Sequence, residues 1–160
     1  MTIYPVSKLP LVPSSKIVRK IQTYQKIQYE IWNYDSNFLC FDENETIKNC
    51  RSVIFSYPQN NLLSISPRKS IDNNTFCKKY NCSENIFINE YIDGTMIHLF
   101  YDNRRKSWEI ASKNNIGCLQ KLRRNDKKTT KSLLEMFKDG LGEDINKELN
   151  AITLFKYFPK

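Results

Sequence analysis

Residues 89–102 read NEYIDGTMIHLFYD, and SWEIAS follows at residues 107–112 after a short polar gap. The Asp93-Gly94 pair is a turn signal, because glycine reaches backbone angles that a side chain forbids. On either side lie short runs rich in β-branched and aromatic residues, the pattern of strands bounded by turns. The stretch therefore predicts strands over 85–92, 95–101 and 107–112, with turns at Asp93-Gly94 and at 102–106. In TMIHLFY, Met96 and Phe100 fall on one face and Ile97, Leu99 and Tyr101 on the other. Apolar residues on both faces predict a central strand covered on both sides. His98, within it, reads as a packed and hydrogen-bonded residue rather than a catalytic one.

Outward from this block, RSVIFSY (51–57) reads as a strand, and residues 62–66 as another after a Pro-Gln-Asn-Asn turn. Residues 37–41 and 152–158 are further strand candidates, and the polar segment 67–85 holds a short helix or loop. Ser14 or Ser15 is placed to cap a helix carrying Ile17, Ile21, Tyr24 and Ile31 on one stripe. A second helix is expected from about Thr129 or Thr130, with Leu133, Leu134 and Phe137 as its apolar face and Gly140 and Gly142 at its end. Residues 144–149 suit a further short helix. Three of the six prolines lie within residues 1–13, which predicts an extended arm. The expected architecture is α+β: a mixed or antiparallel sheet with packed helices, as one domain over 14–160 behind the arm.

The chain has 160 residues, with Lys plus Arg at 25 and Asp plus Glu at 17, a net charge of +8. That balance makes an anion, and nucleic acid first among anions, the expected partner. The basic segment 118–131 concentrates it in Lys121, Arg123, Arg124, Lys127, Lys128 and Lys131. No apolar run is long enough to span a bilayer, and no basic start followed by an apolar core marks an export signal. An intracellular protein with reduced thiols is expected. The five cysteines are irregularly spaced and a single histidine is present, so no metal site is expected. The four glycines form no phosphate-cradling fingerprint. Abundant Asn, Ile and Lys, with Ala only at 111 and 151, suggest an A/T-rich genome such as that of a large DNA virus, placing the protein in host cytoplasm or virion.

RSVIFS (51–56), SPRKS (66–70), NEYIDGTMIHLFYD (89–102) and WEIASKNNIG (108–117) together resemble the nucleotidyltransferase domain of RNA ligases. The likeness is to the bacteriophage type and its relatives in large eukaryotic DNA viruses, and it covers the first part of that domain. A fainter match runs through LLEMFKDGL (133–141) to ITLFKYFP (152–159). In that family the motif Lys-x-Asp-Gly carries the lysine that attacks the α-phosphate of ATP. Asp93 and Gly94 match its last two positions, but Tyr91 stands where the lysine belongs. A phenol is no substitute for an amine nucleophile. Lys156 aligns with an acidic ribose-binding position, and the later metal- and phosphate-binding motifs find no match in residues 1–160. The resemblance thus implies a catalytically incomplete ligase-like protein, with ATP and Mg²⁺ as ligands only if ligase chemistry survives. Asp93, Gly94, Lys69 and Lys113 are its nucleotide-binding candidates. Arg51, Lys121, Arg123, Arg124, Lys127 and Lys128 are candidates for binding nucleic acid, RNA before DNA. One part of a split ligase completed by a second polypeptide, and a structural or virion scaffold, are the alternatives.

Overall fold

The computed structural model describes residues 15–35, 45–80, 90, 94–124 and 127–141, and side chains at 45, 46, 122–130 and 141 are outside that description. The fold is α+β, and its sheets are antiparallel throughout. Strands β1 (Ile17–Tyr24), β2 (Ile27–Tyr34), β3 (Val53–Ser56) and β4 (Leu62–Ile65) form one sheet in that order. Between β2 and β3 lie α1 (Glu45–Lys48) and a 3-10 turn (Asn49–Arg51). Helix α2 (Asn73–Lys79) follows β4, with the Asp72 carboxylate accepting from Thr75 N at 3.0 Å as its cap. Strands β5 (Ile97–Asp102) and β6 (Ser107–Ser112) pair as a hairpin, β7 (Lys121–Arg124) and β8 (Lys127–Ser132) as another, and α3 (Leu133–Leu141) follows.

The β5–β6 hairpin is the middle layer. Its face carrying His98, Phe100 and Ala111 meets the four-stranded sheet, where Tyr29, Ile31 and Ile54 are buried against Phe100, Ala111 and Ile116. On its other face Ile110 packs with Cys118 and Leu133, joined by Ile97, Leu134 and Phe137. The far face of the large sheet buries Ile17, Trp32, Val53 and Phe55 around Cys50. The α3 helix starts where Ser132 and Glu135 cap each other. Ser132 N donates to Glu135 Oε2 at 2.6 Å, and Glu135 N donates to Ser132 Oγ at 3.3 Å.

Several expectations are corrected. Residues 17–34 are a β-hairpin, not a helix: Gln25 and Lys26 both take positive φ (47° and 68°) and make a tight reversal without glycine. The basic segment is also a hairpin. Its Lys127-to-Ser132 strand runs on to Ser132, so α3 begins at Leu133 and not near Thr129. In the expected strand 51–57, Arg51 belongs to the preceding 3-10 turn and pairing starts at Val53. In β5 the fully covered face is His98, Phe100 and Asp102, while Tyr101 is exposed. The pairing expected at 85–92, and the segments expected at 1–13, 37–41, 144–149 and 152–158, lie outside the described residues.

The loop that turns the chain out of β6 depends on Gly117. Its φ is +84°, and a Cβ there would lie 2.3 Å from the Tyr24 ring. Gly117→Ala is expected to destabilise the fold by roughly 1–3 kcal/mol, read from the midpoint of urea unfolding. An unchanged midpoint would show that this close approach carries no weight.

Candidate nucleic-acid interface

Three segments distant in sequence meet at one end of the sheets. In the amide orientation that its neighbours require, Asn33 donates through its side-chain nitrogen to Arg51 O at 2.8 Å and Lys113 O at 3.3 Å. Ser52 Oγ also donates to Lys113 O, at 2.9 Å. On the other flank of residues 48–52, Ser66 N donates to Ser52 O at 2.9 Å and Lys69 N to Lys48 O at 3.2 Å. Arg51, Lys69 and Lys113 are thereby gathered at one pole, and Lys48 with them. The Lys113 ammonium sits over the Tyr34 ring, Nζ 5.1 Å from its centroid. Lys16 joins from the start of the hairpin, its carbonyl accepting from Asp35 N at 2.8 Å.

Behind this pole runs a polar relay centred on the buried His98 and Ser52. His98 Nδ1 is 2.8 Å from Ser64 Oγ, and His98 Nε2 is 3.0 Å from Ser52 Oγ. The Ser52 hydroxyl proton goes to Lys113 O, so Ser52 Oγ accepts from His98 and Nε2 carries the ring proton. Nδ1 then accepts from the Ser64 hydroxyl. This assignment describes a neutral imidazole, and burial pushes its pKa down to about 4. A serine beside a histidine invites comparison with a nucleophilic dyad, but Ser52 is fully buried and the second ring nitrogen meets a serine hydroxyl, not a carboxylate. The relay is structural.

The β7–β8 hairpin springs from the same end. Gln120 Nε2 donates to Ser112 Oγ at 2.6 Å, one residue before Lys113, and Leu133 N donates to Gln120 O at 3.1 Å. Lys121 opens β7 and is exposed. The backbone register sets Arg123 opposite Lys128 and Arg124 opposite Lys127.

Tyr91 and Asp93 lie outside the described residues; Gly94 is exposed, with nothing within 4 Å of where a Cβ would sit. Cys50 and Cys118 are buried and burial pushes both thiols up to about 11, which keeps them protonated and unreactive. Among the described residues no group of three or more His, Cys, Asp or Glu is placed to hold a metal, and no helix is long and apolar enough to cross a membrane. Tyr101 and Trp108 pack on each other edge to face, centroids 5.8 Å apart. Sequence reasoning missed Asn33, Tyr34 and Ser52, because reading 17–31 as a helix hid the strand end that presents the first two. Comparison with family models, with curated proteins and with solved structures gives no match for the chain.

The relay makes stability depend on pH. Folded His98 titrates near 4 against 6.5 for an ordinary histidine, so the unfolded chain binds the extra proton in between. The contribution is complete above about pH 6.5 and declines as pH falls toward 4, by roughly 3 kcal/mol across the window. Asp72, Asp102 and Glu135, whose carboxyl pKa values are lowered, lose their contributions at more acidic pH still. Chemical denaturation from pH 7.5 to 4.5 is expected to show this slope, and His98→Gln to flatten it. Equal slopes in the two proteins would disprove the neutral relay.

Proposed function

We propose that the chain is a nucleic-acid-binding protein, RNA before DNA, built on a ligase-like but catalytically incomplete nucleotidyltransferase domain. The observation that carries the binding is the convergence of Arg51, Lys69 and Lys113 on one hydrogen-bonded framework around Ser52 and Asn33. Backbone groups hold those positions, so cations from three segments present a joint surface for successive phosphates. The adjoining hairpin, which opens on the exposed Lys121 and carries a basic sequence, extends the surface. The catalytic deficit rests on Tyr91 at the nucleophile position and on Lys156 where the ligase pattern has an acid. Without an amine at position 91 the surface holds a phosphate chain and does not transfer a nucleotide.

Two measurements test this reading. Labelled single-stranded RNA is expected to bind with an affinity that falls steeply with salt, the log–log slope rising by about 0.7 for each phosphate neutralised. The triple variant Arg51→Gln, Lys69→Gln, Lys113→Gln is expected to bind at least about tenfold more weakly, with a slope smaller by about 2. Absence of binding at low salt, or an unchanged slope in the variant, would remove the interface. Incubation with radiolabelled ATP and Mg²⁺ is expected to leave no covalent adduct. An adenylate mapped to any lysine, with or without an added second polypeptide, would restore the ligase activity denied here.

A further inference from the structure

The opposite end of the sheets carries a second feature of different character. The β3–β4 and β5–β6 turns border a cleft of about 390 Å³. Leu62 and Leu63, both half-buried, are among its apolar lining. Tyr101 forms a wall and is 39% exposed, with its ring braced edge-on by Trp108. Gln59, Asn61 and Asn103 stand around the rim, all exposed, and their side-chain amides make no hydrogen bond to other described residues.

The cation in the lining is already committed. Arg104 Nη2 donates to Asp102 Oδ2 at 2.7 Å and Nε to Oδ1 at 3.1 Å, while Nη1 donates to Gln28 O at 3.1 Å. Its guanidinium also lies over the Tyr29 ring, 4.8 Å from the centroid. Asp102 and Arg104 cancel in place, so the cleft shows neither an available cation for a phosphate nor an available anion for an amine. A purely aliphatic ligand would leave three amides unused. A flat, neutral heterocycle with neighbouring donors and acceptors on its edge uses the apolar lining, the Tyr101 ring and the exposed amides together.

We infer that this cleft is a nucleobase site: Tyr101 offers the ring face and the carboxamides of Gln59, Asn61 and Asn103 read the base edge. Carboxamides pair with base edges because each holds a donor and an acceptor side by side, and an aromatic ring accepts any base by stacking. The volume falls within the range of small-ligand sites. The inference builds on the proposed interface, to which it adds the half of the ligand that phosphate contacts leave unread. Strand β6, six residues long, spans from the cleft end to Lys113, roughly 20 Å. Unpaired bases splayed from a single strand are the form in which RNA is usually read.

The test follows the side-chain amide signals of Gln59, Asn61 and Asn103 and the Tyr101 ring signals by NMR. Adenosine, guanosine, cytidine and uridine are titrated separately, with ribose as control. At least one nucleoside is expected to shift these signals saturably while ribose does not. Tyr101→Ala is expected to weaken that binding about tenfold and Tyr101→Phe to preserve it. No shift with any nucleoside, equal shifts with ribose, or full affinity in Tyr101→Ala would overturn the site. Salt-dependent RNA binding without nucleoside shifts removes the cleft and keeps the interface. Nucleoside shifts without RNA binding keep the cleft and remove the interface.

Discussion

The Ser64–His98–Ser52–Lys113 relay is the constraint on which the arrangement of the sheets depends. A buried imidazole and the buried Ser52 hydroxyl beside it are costly unless each polar atom finds its partner. Here the partners come from β4, β5, the entry to β3 and the turn after β6, so all four must take one mutual placement. A slip of β5 by one residue would put Leu99 against the serines and turn His98 toward α3. Hydrophobic packing of Phe100 and Ala111 favours contact between the layers, and the relay selects the register. Because its last acceptor is the Lys113 carbonyl, the same selection fixes where that lysine emerges.

The segment after β6 is held with comparable care. Gln22 grips Ile116 at both backbone atoms, accepting from Ile116 N at 3.0 Å and donating to Ile116 O at 3.2 Å. Lys20 donates to Asn114 O at 3.1 Å and to Asn115 Oδ1 at 3.0 Å. Gly117 and Cys118, both with positive φ, then reverse the chain under Tyr24 toward Gln120 and the second hairpin. Alternate residues of β1 thus act as fasteners for a loop about ninety positions away. That is why β1 carries polar residues on the side that faces the loop.

The same fact explains what was and was not legible beforehand. The β3, β4, β5 and β6 segments stand out because their apolar alternation answers to a core on the page of the sequence itself. In β1 the side chains on the face toward residues 114–116 include Lys20 and Gln22, which bond that loop instead of an apolar core. The period of two is therefore masked, and Ile17, Ile21, Tyr24 and Ile31 are left to mimic a helical stripe. Nor does Gln25-Lys26 announce the reversal, since tight hairpins usually advertise themselves with asparagine or glycine. The basic segment hid its strands for a related reason: charge density reads as solvent exposure, although Lys127–Ser132 includes the β-branched pair Thr129-Thr130. Of the candidate residues, Arg51, Lys69 and Lys113 proved to share a pole, whereas their framework of Asn33, Ser52 and His98 is visible only once the strands are assembled.

The charge of +8 need not be spread evenly to serve one ligand. In protein–nucleic acid recognition, phosphate contacts set affinity and position, and base contacts set identity. In the proposed reading, the two ends of this sandwich divide along that line. At the Lys113 end cations are gathered from separate segments; at the Arg104 end the cation is neutralised by Asp102 and uncommitted amides are exposed instead. A cation left open in the proposed base cleft would draw phosphates into it and compete with the base for the same space. Locking Arg104 between Asp102, Gln28 O and the Tyr29 ring removes that competition while using its guanidinium to tie the β5–β6 turn to β2. In the proposed reading, the internal ion pair is what allows one small basic chain to hold the backbone of a strand at one end and discriminate a base at the other.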